Sequence, residues 1–141
     1  MEETVVVWGP VDLRDATSAQ VTWVENRDWA SGQASSLALA LSWCDERDYE
    51  AVVVGVADAP LIPASAWEAV GHHPANLAIA SFRGVLHPPV RLHRSLWPAL
   101  PHSGDQGARD LWKGGAAVAV DCEGFPGDVD TVEDLKRLGG R

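Results

Sequence analysis

The sequence predicts an α/β domain with a mostly parallel sheet, and two observations carry this prediction. Short β-branched or apolar runs alternate with segments of helical spacing along the 141 residues. The run at residues 51–56 is apolar without interruption, as expected for a strand that helices cover on both faces of a parallel sheet. We expect a single domain over residues 1–141.

The first elements lie between the N-terminus and the central apolar run. Residues 4–8 form a β-branched run closed by Gly9-Pro10, which predicts a strand and a turn. A second strand is predicted at 21–25. Apolar residues recur at helical spacing over 35–43, and Ser35 and Ser36 are available to cap this helix.

The central elements follow the strand at 51–56. A helix is predicted at 63–70, because proline is tolerated in a first turn and Gly71 can end it. A strand follows at 77–82. Residues 89–92 are expected to form its antiparallel neighbour.

The last elements are shorter or end the chain. Short helices are predicted at 95–100 and 107–112, and a late strand at 116–120. The closing helix at 131–138 begins with a capping-box spacing between Thr131 and Asp134.

Composition excludes several classes of protein. The net charge of −9 argues against binding a nucleic-acid backbone, which needs a basic face. No apolar run approaches the roughly 18 residues of a membrane span, and the acidic N-terminus is not a secretory signal. Cys44 and Cys122 are predicted to be free thiols in a reducing compartment. We therefore expect a cytoplasmic protein without a nucleic-acid or membrane partner.

Asp58 is the first candidate functional residue. It follows the buried run at 51–56 and precedes Pro60, which ends the strand. Ligands of open α/β sheets gather outside the carboxyl ends of the strands, so this carboxylate can reach a ligand or a metal ion. The alternative is that Asp58 only caps the following turn, and the position alone leaves both interpretations open.

Three polar stretches add further candidates. Residues 26–37 form a glycine-containing loop that leads into a helix, a favourable place for an anion, although an ordinary capped loop has the same pattern. Residues 103–109 combine one acid with one base, which also suits a plain turn. In 128–135 two carboxylates alternate before a helix, so one can cap the helix and the other can face a ligand such as a hard divalent cation.

The order and spacing of these stretches resemble the MobA-like NTP transferase family, most closely its molybdenum cofactor cytidylyltransferase branch. The resemblance covers about residues 4 to 138. The matching motifs are Asn26…Trp29…Gly32…Ser36-Leu37, Asp58-Ala59-Pro60-Leu61, His87-Pro88, Gly104-Asp105-Gln106-Gly107-Ala108-Arg109 and Asp128-Val129-Asp130-Thr131…Glu133-Asp134-Leu135.

The resemblance implies a Rossmann-like three-layer sandwich and a nucleotidyl transfer. A nucleoside monophosphate from CTP or GTP would pass to a phosphorylated acceptor such as molybdopterin, with Mg²⁺ as cofactor. By motif position, the resemblance assigns the catalytic metal ligands to Asp58 and Asp130. It assigns the nucleotide contacts to Asn26, Trp29, Gly32 and Ser36, and the acceptor side to His87, Asp105 and Arg109.

The family begins with a strand and a glycine-rich loop that cradles the triphosphate, and this sequence opens at what corresponds to the second strand. We therefore expect a fold that is N-terminally truncated relative to the family. Its exposed sheet edge would need covering, for which a homo-oligomer is one solution. The alternative function is a non-catalytic, degenerate α/β domain that binds a nucleotide or a partner subunit.

Overall fold

A computed structural model describes residues 3–9, 21–56, 61–100 and 115–124. These residues form six strands, two α-helices and two 3₁₀ segments, the latter at Trp29–Ser31 and Arg94–Ala99. The strands are β1 (Val5–Trp8), β2 (Thr22–Glu25), β3 (Ala51–Val54), β4 (Leu77–Phe82), β5 (Val85–His93) and β6 (Val118–Asp121), and the α-helices are α1 (Gln33–Glu46) and α2 (Ala64–Gly71).

The chain divides into two compact units. The first comprises residues 1–52 and 93–116, and the second comprises residues 53–92 and 117–141. The single-domain assignment stays a prediction.

The first unit contains a parallel pair of strands and the longest helix of the described residues. β1 pairs with β2 in the register Val5 to Thr22 through Trp8 to Glu25. Helix α1 contacts β1, and its buried apolar residues Leu37, Leu41 and Cys44 recur at helical spacing. A short connection, residues 26–32, joins the end of β2 to the N-terminus of α1.

The second unit is organised around β4, in which all six residues are buried. The four-stranded sheet has the order β3-β5-β4-β6, and β4 pairs parallel to β6. Helix α2 places Ala66 and Val70 against Ala80 and Phe82 of β4, and these four residues form a buried apolar cluster. Burial on both faces explains why the sequence of β4 is almost entirely apolar.

The prediction of a mostly parallel sheet is wrong, because the sheet is mixed. β4 and β5 are antiparallel and pair from Leu77 with Leu92 to Phe82 with Val85. Only Arg83 and Gly84 connect them, with φ angles of 53° and 84°. A two-residue turn with both φ angles positive matches the twist of an antiparallel hairpin. The predicted antiparallel neighbour of β4 is thus confirmed, and it extends over Val85–His93.

The hairpin contains an irregularity beside His87. Ile79 pairs with Val90 while Ala80 pairs with His87, so Pro88 and Pro89 interrupt the regular register. Proline has no backbone N–H to donate to the ladder, which explains the interruption at this place. The peptide bond between the two prolines is cis.

Most other predicted elements inside the described residues are confirmed, with boundaries shifted by one to three residues. The predicted helix at 95–100 is the 3₁₀ segment Arg94–Ala99, and the late strand is Val118–Asp121. The predicted helices at 107–112 and 131–138 lie outside the described residues. No helix in the described ranges is long and apolar enough to cross a membrane.

Candidate functional site

Asn26 anchors the loop between β2 and α1. It lies directly after β2, is only 3% exposed, and its backbone N–H donates to the carbonyl oxygen of Trp8 over 2.7 Å. Its side-chain Oδ1 accepts a hydrogen bond from the backbone N–H of Asp28 over 2.9 Å. This Asx turn reverses the chain immediately after the strand.

The amide nitrogen of Asn26 reaches the first turn of α1. Nδ2 lies 2.9 Å from Oγ of Ser35 and 2.8 Å from Oγ of Ser36. Oγ of Ser35 lies a further 2.7 Å from the carbonyl oxygen of Gly32. The buried side chain of Asn26 therefore fixes both ends of the loop. Its Oδ1 and its Nδ2 are both hydrogen-bonded to residues 28–36.

Helix α1 begins at Gly32 without a side-chain cap. Gly32 has φ 103° and ψ 178°, a conformation that favours glycine. No acidic residue lies in the first turn, so no carboxylate of that turn neutralises the positive end of this 14-residue helix. The first turn thus offers the backbone N–H groups and the electrostatic field that suit an anion.

Trp29 forms part of the surface of this loop. It begins the 3₁₀ segment and is 49% exposed. A Cβ atom built on Gly9 would lie 2.8 Å from Cβ of Trp29. The loop therefore approaches the end of β1 closely, and only glycine at position 9 permits this approach. The ring of Trp29 is large, partly exposed and held on a fixed backbone, which suits stacking on a nucleobase.

The structure thus brings the four predicted nucleotide contacts into one loop. Asn26, Trp29, Gly32 and Ser36 lie within 11 consecutive residues, and Asn26 bonds Ser36 directly. The sequence pattern does not distinguish the roles of Ser35 and Ser36, because two adjacent serines look equivalent as caps. Gly9 is the contributor that the sequence pattern alone missed. Ser35, predicted as a helix cap, instead bonds the carbonyl oxygens of Gly32 and Asp28 in the loop.

His87 lies in the second unit, at the hairpin irregularity. Its Nδ1 is 2.7 Å from the carbonyl oxygen of Pro88, so Nδ1 carries the proton and donates it. The ring meets that of Phe82 edge-on, with the centroids 6.4 Å apart. These contacts fix the orientation of the half-buried imidazole; its acceptor-side role stays a prediction.

The remaining predicted site residues, Asp58, Asp105, Arg109 and Asp130, lie outside the described residues. Within the described ranges, no group of three or more His, Cys, Asp or Glu residues could hold a metal ion. Two carboxylates such as Asp58 and Asp130 are a donor set that fits a hard divalent cation, which prefers oxygen ligands and keeps other positions for water or phosphate. The assignment of Asp58 and Asp130 as metal ligands stays a prediction.

Both cysteines are free thiols. Burial raises the pKa of the Cys44 thiol and that of Cys122. A raised pKa leaves little thiolate at neutral pH, and the thiolate is the nucleophilic form. Neither cysteine therefore has the character of a catalytic nucleophile.

Solved structures share this fold. One is the crystal structure of a Mycobacterium tuberculosis Rv0371c homologue from Mycobacterium sp. strain JC1, with a TM-score of 0.74 and 24% identity over 97% of this chain and 73% of that one. Another is Rv0371c from M. tuberculosis H37Rv in complex with manganese, with a TM-score of 0.74 and 17% identity over 97% of this chain and 77% of that one. These similarities establish a Rossmann-like α/β fold.

The comparison with protein families is more specific. No curated protein has a significantly similar sequence. The profile of the MobA-like NTP transferase domain matches residues 1–120, which is most of the chain and includes the loop from Asn26 to Ser36. A domain of this kind binds nucleoside triphosphates and has a nucleotidyltransferase-type function. The chain belongs to the MobA-like NTP transferase family.

Proposed function

We propose that this protein is a Mg²⁺-dependent nucleotidyltransferase that moves a nucleoside monophosphate from CTP or GTP to a phosphorylated acceptor such as molybdopterin. Family membership supports the reaction class. The observation that carries the nucleotide assignment is the N-terminus of α1, where Gly32 is the N-cap residue and no side chain caps the helix. Asn26 stabilises this turn through hydrogen bonds to Ser35 and Ser36.

The loop supplies three kinds of contact to a nucleotide. Backbone N–H groups of the first turn of α1 face an anion or an acceptor atom. The Ser36 hydroxyl adds a directional hydrogen bond, and Trp29 offers a partly exposed ring to the base. Because Asn26 holds the loop in place before a ligand arrives, little ordering is needed on binding.

Asp58 and Asp130 are the residues proposed to hold the divalent cation. Bound there, the ion would neutralise the charge of the phosphates during transfer. The manganese in the Rv0371c complex supports a divalent metal, and Mn²⁺ and Mg²⁺ share a preference for carboxylate and water ligands.

The acceptor phosphate needs no general base. One of its oxygens is already anionic near neutral pH and attacks the α-phosphorus of the triphosphate. A new P–O bond forms, the bond to the β-phosphate oxygen breaks, and pyrophosphate leaves. Catalysis is then mainly positioning and charge stabilisation, and His87, Asp105 and Arg109 are proposed to position the acceptor.

The test is pyrophosphate release from CTP or GTP with molybdopterin as acceptor. We expect Mg²⁺-dependent release by the wild type, and a loss of at least about 100-fold in Asp58→Asn and Asp130→Asn, the scale of losing one stabilising group for developing charge. Asp48→Asn is the matched control, because Asp48 is exposed and its φ of 59° is tolerated by asparagine.

A wild-type protein that binds CTP or GTP but releases no pyrophosphate would contradict the catalytic proposal. That result would favour the alternative function, a non-catalytic domain that binds a nucleotide.

A further inference from the structure

The two serines at the start of α1 have different hydrogen-bonding states. The backbone N–H of Asp28 can only donate, so the atom of Asn26 that faces it must be the acceptor Oδ1. The orientation of the amide is therefore fixed, and Nδ2 faces both serines. As a consequence, both serine oxygens accept a hydrogen bond from Asn26.

Each serine has a single hydroxyl hydrogen left to donate. Ser35 is buried and has two carbonyl acceptors in the loop, Gly32 at 2.7 Å and Asp28 at 3.0 Å. Its hydrogen is committed inside the protein. Ser36 is half-buried, and within the described residues its one hydrogen-bond partner is the amide of Asn26, which donates to it.

We infer that Asn26 is a positioning residue that turns the Ser36 hydroxyl into a hydrogen-bond donor toward an acceptor oxygen of the bound nucleotide. Because Nδ2 occupies the lone-pair side of Oγ, the hydrogen of Ser36 points away from Asn26. The inference rests on the proposed function. It gives Asn26 an indirect role, since both hydrogens of Nδ2 are donated to the serines and the residue is only 3% exposed.

The acceptor oxygen can belong to the base or to the ribose and phosphates. CTP and GTP both carry a base carbonyl, whereas ATP has none. A loss of affinity in Ser36→Ala that CTP and GTP show but ATP does not would assign the contact to the base carbonyl. An equal loss with all three nucleotides would assign it to the ribose or the phosphates.

A double-mutant cycle tests the inference on the intact chain. Dissociation constants for CTP and GTP are measured by calorimetry for wild type, Ser36→Ala, Asn26→Ala and the double variant, with Ser42→Ala on the exposed side of α1 as control. Ser36→Ala should weaken binding about 3- to 10-fold, the range of one hydrogen bond. Asn26→Ala should weaken binding more when Ser36 is present than in the Ser36→Ala background, where only the loss of loop bracing remains.

Wild-type affinity in Ser36→Ala, or an Asn26→Ala effect of equal size in both backgrounds, would overturn the inference. If Asn26→Ala does not fold, Ser36→Thr decides, because it keeps the hydroxyl and must retain the affinity that Ser36→Ala loses. Failure of the proposed function has a different signature, since the wild type itself would then bind neither nucleotide.

Discussion

The side-chain amide of Asn26 donates to the hydroxyl of Ser35 across 2.9 Å, and the bond is buried. The hydroxyl of Ser35 in turn donates a hydrogen bond to a carbonyl oxygen of the same loop, either that of Gly32 or that of Asp28. The chain between β2 and α1 is therefore held from inside, by polar groups that water does not reach. Such a network is costly to interrupt, because each partner left behind is buried and unsatisfied.

Ser35→Ala should lower the free energy of unfolding by about 1–3 kcal/mol, because it leaves buried polar partners unsatisfied. Urea denaturation measures this change. Ser42→Ala is the control on the same helix; Ser42 is exposed, so its removal should change stability by less than about 0.5 kcal/mol. Equal stabilities of the two variants would contradict the bracing role of Ser35.

Gly55→Ala should destabilise the second unit through a clash with Trp67. A Cβ atom at position 55 would lie 2.2 Å from Cη2 of that ring, so the indole must move. Overpacking of this kind costs about 1–3 kcal/mol. Gly71→Ala is the matched control, because among the described residues its Cβ atom would meet only Cγ2 of Val53, at 3.3 Å. Thermal denaturation measures both variants. A melting temperature of Gly71→Ala below that of Gly55→Ala would refute the close packing of Gly55 on Trp67.

The β4–β5 turn should respond oppositely to two substitutions. A Cβ atom at position 84 would meet no atom of the described residues within 4 Å, yet φ is 84°, so we expect a conformational loss of about 1 kcal/mol. Arg83→Asn should be neutral or stabilising, because asparagine tolerates the φ of 53° better than arginine. Urea midpoints of both variants check the turn, and a destabilised Arg83→Asn would be inconsistent with it.

Both cysteines should react slowly with iodoacetamide in the native protein. Burial raises the pKa of Cys44 and of Cys122, so the thiolate fraction at any pH below that raised pKa is smaller than for free cysteine. The alkylation rate should rise with pH and reach its half-maximum above the ordinary thiol pKa of about 8.5. Mass spectrometry of protein quenched at several pH values measures this, with guanidinium-unfolded protein as the reference. Native rates equal to the unfolded ones would contradict the burial effect.

The sequence predicted the elements whose signals are local. The prediction of β4 has its observed bounds, because five of its six residues are apolar and all six are buried. The family motifs alone also identify the loop from Asn26 to Ser36. These features depend on residue type and spacing alone.

The sequence could not predict the features that depend on backbone conformation or tertiary contact. The antiparallel strand is predicted only at 89–92, whereas it begins at Val85, because the tight turn before it places Arg83 at a positive φ, which is uncommon for arginine. The separate states of Ser35 and Ser36 follow from the direction of the Asn26 amide, which only the three-dimensional contacts reveal. The assignment of Asp58 and Asp130 as metal ligands rests on their positions in the family motifs.

The most direct test of the central claim is calorimetric titration of the wild type and of Asp58→Ala with CTP and GTP, with and without Mg²⁺. We expect that the wild type binds at least one of the two nucleotides, that Mg²⁺ tightens this binding, and that Asp58→Ala removes the Mg²⁺ effect. A wild type whose affinity is the same with and without Mg²⁺, or an Asp58→Ala variant that keeps the full Mg²⁺ effect, would contradict the central claim.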